Sequence, residues 1–309
     1  MLQIKNLTIK IEKNFILRDL SMEIKPGEIL GIAGESGSGK TVLAKYILGL
    51  LGYPFEIISE KMLFESVDYS SVKSKEKLRG RMVSMIFQNP TTSLNPVLTI
   101  GDQLIETIKL YNRGIDYKSK AVELLKAVEI DNPEHRLNSY PHNLSGGMNQ
   151  RVMIAMALAS NPKLLIADEP TTALDVTIQN EIIKLLLKLN RDQKLSIIFI
   201  SHDLKLLQSI ADRIVILYAG EILEDLSGDD LYKNIIKHPY TYLLKKSVPN
   251  IKEDVDFLKV VEGYIPKNTD CFDNSCIFHT RCPYVKELCQ IKKPDFQNNV
   301  RCHFPLCQS

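Results

Sequence analysis

Eight consecutive residues, Gly34-Glu35-Ser36-Gly37-Ser38-Gly39-Lys40-Thr41, constrain the fold more than any other stretch of the chain. They fit the pattern G-x-x-x-x-G-K-[ST]. An apolar run, Glu28-Ile29-Leu30-Gly31-Ile32-Ala33, precedes them, and a helix-like one, Val42-Leu43-Ala44-Lys45-Tyr46-Ile47-Leu48, follows. In this strand–loop–helix order, glycines turn backbone N–H groups inward around phosphate oxygens and a helix N-terminus adds its positive end. Lys40 is expected to reach the β- and γ-phosphates of a nucleotide, and the Thr41 hydroxyl to ligate Mg²⁺. A plain glycine-rich turn is the ordinary alternative, and Lys-Thr in register argues against it.

Further apolar runs read as buried strands: Met82-Val83-Ser84-Met85-Ile86-Phe87, Leu164-Leu165-Ile166-Ala167, Ile197-Ile198-Phe199-Ile200 and Ile214-Val215-Ile216-Leu217. Helical patterns such as Ile178 to Leu189 separate some of them. The alternation predicts an α/β core with a parallel sheet covered on both faces. The 309 residues suffice for one large domain with an appendage, or two small ones. A net charge of +2 gives no reason to expect nucleic-acid binding. No apolar run approaches the ~18 residues of a membrane span. Met1-Leu2-Gln3-Ile4-Lys5-Asn6 lacks the core of a signal peptide. The expectation is a cytoplasmic protein that reaches a membrane through partners.

Leu164-Leu165-Ile166-Ala167-Asp168 is an apolar strand ending in a carboxylate. Asp168 is placed to hold the Mg²⁺ that Thr41 also touches. Glu169 follows and is expected on the strand's other face. There it would act as general base on a water attacking the γ-phosphate. Leu144-Ser145-Gly146-Gly147-Met148-Asn149-Gln150-Arg151 precedes a helical run from Val152 to Ala159. It sets a serine hydroxyl and glycine N–H groups at a helix N-terminus, a second anion site. A capping serine beside a glycine pair is the purely structural reading.

That last phrase resembles the signature motif of ATP-binding cassette (ABC) ATPases, with Met148 where Gln is commoner. Other cassette elements follow in order. Gln88 resembles the Q-loop glutamine that senses Mg²⁺ and the attacking water. Thr172-Ala173-Leu174-Asp175 resembles the D-loop, and His202 in Ser201-His202-Asp203 resembles the switch histidine on the γ-phosphate. The resemblance covers roughly residues 1–250. It implies a P-loop ABC ATPase with a RecA-like core, an antiparallel β subdomain and a helical subdomain at about residues 90–160. It also implies ATP and Mg²⁺ as cofactors, and contacts from Ser145, Gly146, Gly147 and Asp175 to ATP held by the opposite subunit. The family stacks an early aromatic ring on adenine. Here that position falls near Ile11, with Phe15 four residues later, so the stacking residue is unassigned.

Gln88-Asn89-Pro90-Thr91-Thr92-Ser93-Leu94-Asn95-Pro96 and His238-Pro239-Tyr240-Thr241-Tyr242-Leu243-Leu244 resemble segments of the peptide/nickel importer subfamily. Tyr240, Leu243 and Leu244 are expected on one apolar helical face. The resemblance implies the ATPase motor of a membrane importer for di- or oligopeptides, on the cytoplasmic face. Its partners would be two transmembrane permease subunits, a second related ATPase in a heterodimer and an extracytoplasmic solute-binding protein. A nickel or metal-chelate importer is the alternative within the family. A soluble non-transport ABC ATPase is the remote one, disfavoured by a single cassette without heptad insertions.

All six cysteines lie beyond residue 270, a composition boundary near Ile265-Pro266. The expected division is a nucleotide-binding domain at 1–250 and a small Cys-rich extension at 251–309. Cys276-Ile277-Phe278-His279-Thr280-Arg281-Cys282-Pro283 and Val300-Arg301-Cys302-His303 resemble the C-terminal extension of peptide-importer ATPases, some of which hold an iron–sulfur cluster. Cys276, Cys282, Cys289 and Cys302 would supply four thiolates for a [4Fe–4S] cluster or for Zn²⁺. Thiols without metal remain open, and disulfides are disfavoured in a reducing compartment. Cys271 and Cys307 are unassigned. No tail cysteine belongs to a phosphate-binding motif, so ATP binding is expected largely to survive Cys282→Ser.

Overall fold

The computed structural model describes residues 1–88, 93–172, 174–247, 262–266, 272 and 274–306. The Q-loop stretch Asn89-Pro90-Thr91-Thr92, the D-loop Ala173, the expected domain edge at 251, Cys271 and Cys307 lie outside the described residues. The chain forms two compact units, Met1–Val72 with Phe199–Ser309, and Lys73–Ile198.

Strands in chain order are β1 (Leu2–Ile11), β2 (Asn14–Ile24), β3 (Ile29–Ala33), β4 (Phe55–Ile58), β5 (Lys61–Phe64), β6 (Val67–Asp68), β7 (Val83–Ile86), β8 (Leu164–Asp168), β9 (Ser196–Ile200), β10 (Arg213–Tyr218) and β11 (Glu221–Ser227). In the first unit β1 is the hub of an antiparallel sheet, pairing with β2, β4 and β5, while β6 pairs with β5. Leu2 and Ile4 face the core, and after one slipped residue so do Leu7 and Ile9. Asn6 absorbs the slip at φ 48 and Asp19 does the same in β2 at φ 47. The register steps accordingly from Ile4↔Met22 to Leu7↔Leu20. Bulges of this kind keep a strand's apolar set on one face after an odd insertion.

β3 is buried throughout and pairs in parallel with β10. β11 pairs with β10 antiparallel. The expected parallel pairing is thus joined by an antiparallel strand that the sequence reading did not name. Only Ala219 and Gly220 link β10 to β11, at φ 46 and 83, and a two-residue turn of that kind permits a hairpin but no crossover.

In the second unit β7 and β8 run parallel in the register Val83↔Leu164 to Ile86↔Ala167. The helix Ile100–Tyr111 begins with a capping box between Thr99 and Asp102, and Tyr117–Ala127 is capped by Asp116. Gly146–Leu158 and Val176–Gln193 complete the larger helices. Arg151 joins two segments, donating to the Val128 carbonyl (2.8 Å) and to Glu181 (3.1 Å). Among the described residues no helix is long and apolar enough to cross a membrane.

Candidate functional site

The phosphate loop lies between β3 and the helix Lys40–Ile47. Gly34 has φ 154, and a Cβ there would sit 2.1 Å from the Leu217 carbonyl oxygen, so only glycine fits. Gly39 occupies the helix N-cap without a side-chain cap, so the first N–H groups of the helix keep their capacity for an anion. Lys40 is 6% exposed, and its Nζ donates to the carbonyls of Gly34 (2.7 Å) and Glu35 (2.8 Å). Ser38 is fully buried, whereas Ser36, Gly37 and Thr41 are exposed. Glu35 is held twice more. Its N–H donates to Tyr240 Oη at 3.0 Å, and its carboxylate receives two N–H groups of Arg281, at 3.1 Å each.

Phe15 directly precedes the β2 residues that approach this loop. The Ile16 carbonyl and Leu17 crowd the Gly39 Cβ position, so β2 passes directly against the loop. Lys10 Nζ and the Arg18 guanidinium carbon lie 4.2 and 3.9 Å from the Phe15 ring centroid. Ile11 sits instead at the hairpin, paired with Asn14. His202, also in this unit, follows β9 on an exposed position ahead of the helix Leu204–Ile210, which Asp203 caps.

In the second unit Asp168 ends β8 and is 5% exposed. Glu169 does not continue the strand, which corrects the expectation that it faces the strand's other side. It takes φ 46, leaving the alternation of β8 at once. A left-handed non-glycine residue is costly and survives where its surroundings fix it. Here one carboxylate oxygen of Glu169 accepts from Gln88 Nε2 (2.9 Å) and from Thr172 Oγ1 (3.0 Å). Three residues that the sequence places 81 and 3 positions apart thus meet at one carboxylate.

Ser145 caps the helix Gly146–Leu158, its hydroxyl accepting from the Met148 N–H at 3.2 Å. Ser145 and Gly146 are exposed and Gly147 is buried. Asp175 caps the helix Val176–Gln193 by accepting from the Ile178 N–H at 3.0 Å. Ser145 and Asp175 therefore each cap a helix of their own chain.

In the C-terminal segment Phe278 is fully buried, its ring centroid 5.2, 5.3 and 5.8 Å from those of Tyr218, Tyr240 and His238. Cys276, Cys282, Cys289 and Cys302 are free thiols, and all four line one cavity together with His238, His279 and His303. Burial, helped by the neighbouring cysteines, pushes the Cys276 thiol up to about 12 and Cys302 to about 11. Burial also lowers His238 to about 3, and its Nδ1 accepts from the Tyr240 N–H at 3.0 Å. Among the described residues no group of three or more His, Cys, Asp or Glu is arranged to hold a single metal ion.

The pattern described as "ABC transporter" matches residues 17–172, and that of the "oligopeptide/dipeptide transporter, C-terminal region" matches residues 224–289. The chain belongs to the ABC transporter family. It is an ATPase cassette of that family. Among its curated relatives is the dipeptide transport ATP-binding protein DppD of Haemophilus influenzae, 46% identical over 295 residues, covering 93% of this chain and 89% of the relative. The oligopeptide transport ATP-binding protein AppD of Bacillus subtilis is 42% identical, covering 92% and 89%. Among solved structures, the dimeric post-hydrolysis state of the cassette MJ0796 bound to ADP and Pi matches with a TM-score of 0.64 at 30% identity. That match covers 74% of this chain and 98% of the other.

Seen as an ABC cassette, the chain shows two features that sequence reasoning missed. Tyr240 was expected only on an apolar helical face. It is fully buried, with Leu244 at 8% exposure beside it, yet its hydroxyl reaches the phosphate loop. Arg281 carried no expectation at all, although its place directly before Cys282 was in view. No local pattern pairs it with Glu35, 246 residues away.

Proposed function

We propose that this chain is the ATP-hydrolysing motor subunit of a membrane-bound importer for di- or oligopeptides. The observation that carries this reading is the peptide-transporter C-terminal pattern on the same chain as the cassette. The names of the curated relatives support it. Residues 1–250 would form the nucleotide-binding domain, with its RecA-like core, antiparallel β and helical subdomains, and 251–309 the Cys-rich extension. The motor would sit peripherally on the cytoplasmic face, bound to two permease subunits. It would work with a second related ATPase and an extracytoplasmic binding protein.

Lys40 and N–H groups of the phosphate loop other than that of Glu35, which Tyr240 receives, take the β- and γ-phosphates. Thr41, Gln88 and Asp168 are the Mg²⁺-side residues, and Mg²⁺ when bound neutralises charge on those phosphates. Glu169 takes a proton from the attacking water. The Gln88 and Thr172 hydrogen bonds fix the position of its carboxylate. His202 steadies the γ-phosphate. Ser145, Gly146, Gly147 and Asp175 serve ATP on the opposite cassette. Glu169→Gln is expected to bind ATP but to lose about 10²–10⁴-fold in turnover, the usual contribution of a placed general base. ATPase assays of the assembled transporter check this, and near-normal turnover removes Glu169 from the role. The importer reading itself fails if the chain co-purifies with nucleic acid or ribosomes and not with permease subunits.

For the tail the reading is a [4Fe–4S] cluster on Cys276, Cys282, Cys289 and Cys302. Four thiols on one cavity, two of them buried and two half-buried, supply the donor set, and four thiolates are what such a cluster takes. A single zinc, the alternative, needs its four ligands converging tetrahedrally on one ion. The cluster would act as a staple for a segment too small to carry a large core. Anaerobically purified protein is expected to be brown with about four irons and four sulfides per chain. One zinc in a colourless protein would replace the cluster by zinc.

A further inference from the structure

The phosphate loop and the cysteine segment meet within the first unit, and they meet at one residue. Glu35, the second residue of the loop, is gripped at three points. The Arg281 guanidinium donates from Nη1 to one carboxylate oxygen and from Nη2 to the other, both at 3.1 Å. Tyr240 Oη receives the Glu35 N–H. Lys40 Nζ holds the Glu35 carbonyl. Arg281 is fixed in turn: its side chain is 4% exposed, Nε donates to the Glu262 carbonyl at 2.7 Å, and Nη1 also reaches Tyr218 Oη at 3.3 Å. A planar guanidinium that meets a carboxylate with two parallel N–H groups fixes orientation as well as distance, which an ammonium does not.

Arg281 stands next to Cys282, and the same short segment buries Phe278 between Tyr218 and Tyr240. The cysteine segment therefore reaches the loop by two routes. Arg281 acts on the Glu35 side chain, and Phe278 packs on the tyrosine whose hydroxyl receives the Glu35 N–H. We propose that Arg281 is a positioning residue of the ATP site: through Glu35 it makes the geometry of the phosphate loop, and so the affinity for ATP, depend on the folded state of the cysteine segment. A loop that must find its binding geometry unaided pays for the fraction of time it spends elsewhere, and apparent affinity falls by that fraction. It also makes ATP binding more sensitive to the tail than the cysteines' absence from the phosphate-binding motifs suggests.

The inference rests on the phosphate loop being the ATP site, which Lys40→Ala tests by itself through loss of ATP binding. In the full-length chain, Arg281→Gln and Glu35→Gln are each expected to weaken equilibrium ATP binding about tenfold, as for a loop that is correctly placed about a tenth of the time. Because one contact is broken in both, the double variant is expected to bind no worse than either single one. In the assembled transporter KM for ATP should rise while kcat at saturating ATP holds, a split that general destabilisation would not produce. Cys282→Ser should weaken ATP to the same extent, and adding Arg281→Gln to it should change nothing more. The side chain of Glu35 is 27% exposed, so Glu35→Gln carries the test if Arg281→Gln does not fold. Unchanged ATP affinity in Glu35→Gln, or defects that multiply in the double variant, would overturn the proposal.

Discussion

Two loops of this chain present glycines at the start of a helix, and they are built differently. In the phosphate loop the N-cap is Gly39 with no side-chain cap, and Gly34 is locked at φ 154 against a backbone carbonyl. In the signature loop Ser145 caps its own helix through Met148, and neither Gly146 nor Gly147 has a positive φ. An uncapped helix end leaves N–H donors for a ligand, while a capped one has already used one of them. The first loop keeps an uncapped helix end, and residues from elsewhere in its own unit hold it in shape. The second is a stable, exposed helix end suited to meeting a phosphate that something else already holds. The contrast fits a division of labour in which one loop binds ATP and the other closes over it from a second subunit.

The largest effect that can break this comparison is expected at Gly34. Gly34→Ala drives a methyl into the Leu217 carbonyl at a φ that L-residues avoid, and neither partner is flexible. Loss of ATP binding is expected, with a stability cost above the ~1–3 kcal/mol typical of overpacking. Gly147→Ala meets Ile178 Cγ2 at 2.5 Å, a methyl on a β-branched side chain that has to shift, but no backbone atom. Its cost is offset by the ~1 kcal/mol gain of alanine over glycine in a helix, so a smaller loss is expected. Calorimetric melting of the two variants beside wild type, with nucleotide titration, decides. Equal losses would mean that the signature loop is as rigidly specified as the phosphate loop.

Ser145→Ala removes the cap and is expected to cost about 0.5–2 kcal/mol in thermal stability. ATP binding by the isolated chain should be unchanged, because the phosphate loop belongs to the other unit. In a mixed dimer, nucleotide trapping should place the defect at the site whose phosphate loop belongs to the other subunit. A defect at this chain's own Lys40 site would end the division of labour.

Legibility in the sequence followed distance along the chain. The phosphate loop could be read because eight contiguous residues specify a backbone path, and the strands at 164–168 and 196–200 because burial on both faces leaves continuous apolar runs. The β1–β2 sheet was not read from the residues, since the slips at Asn6 and Asp19 break its alternation just where a period-two pattern would show. Glu169 was found but misplaced, because its φ of 46 is fixed by partners rather than by its neighbours in the chain. The four thiols were legible as a set only through the resemblance of their surroundings to the extension of peptide-importer ATPases. The grip of Arg281 on Glu35 was not, because only the folded unit brings together residues 246 positions apart.

The smallest structural change sharpens the comparison most. At Gly146 an added Cβ meets only Leu174 Cδ2 at 3.6 Å, an ordinary contact, and the residue is exposed in the first turn of its helix. Gly146→Ala is therefore expected to leave the melting temperature unchanged or raise it, by up to the ~0.4–1 kcal/mol that a compatible glycine-to-alanine change yields. ATP binding by the isolated chain should also be unchanged. If Gly146 lets the helix end approach a phosphate held by the opposite cassette, the methyl occupies that approach, and ATPase activity of the assembled transporter should fall although nothing in the isolated chain has weakened. Loss of turnover without loss of stability or binding is a result that a merely structural glycine cannot give. Full turnover in this variant would return the signature loop to the status of a capped helix end and nothing more.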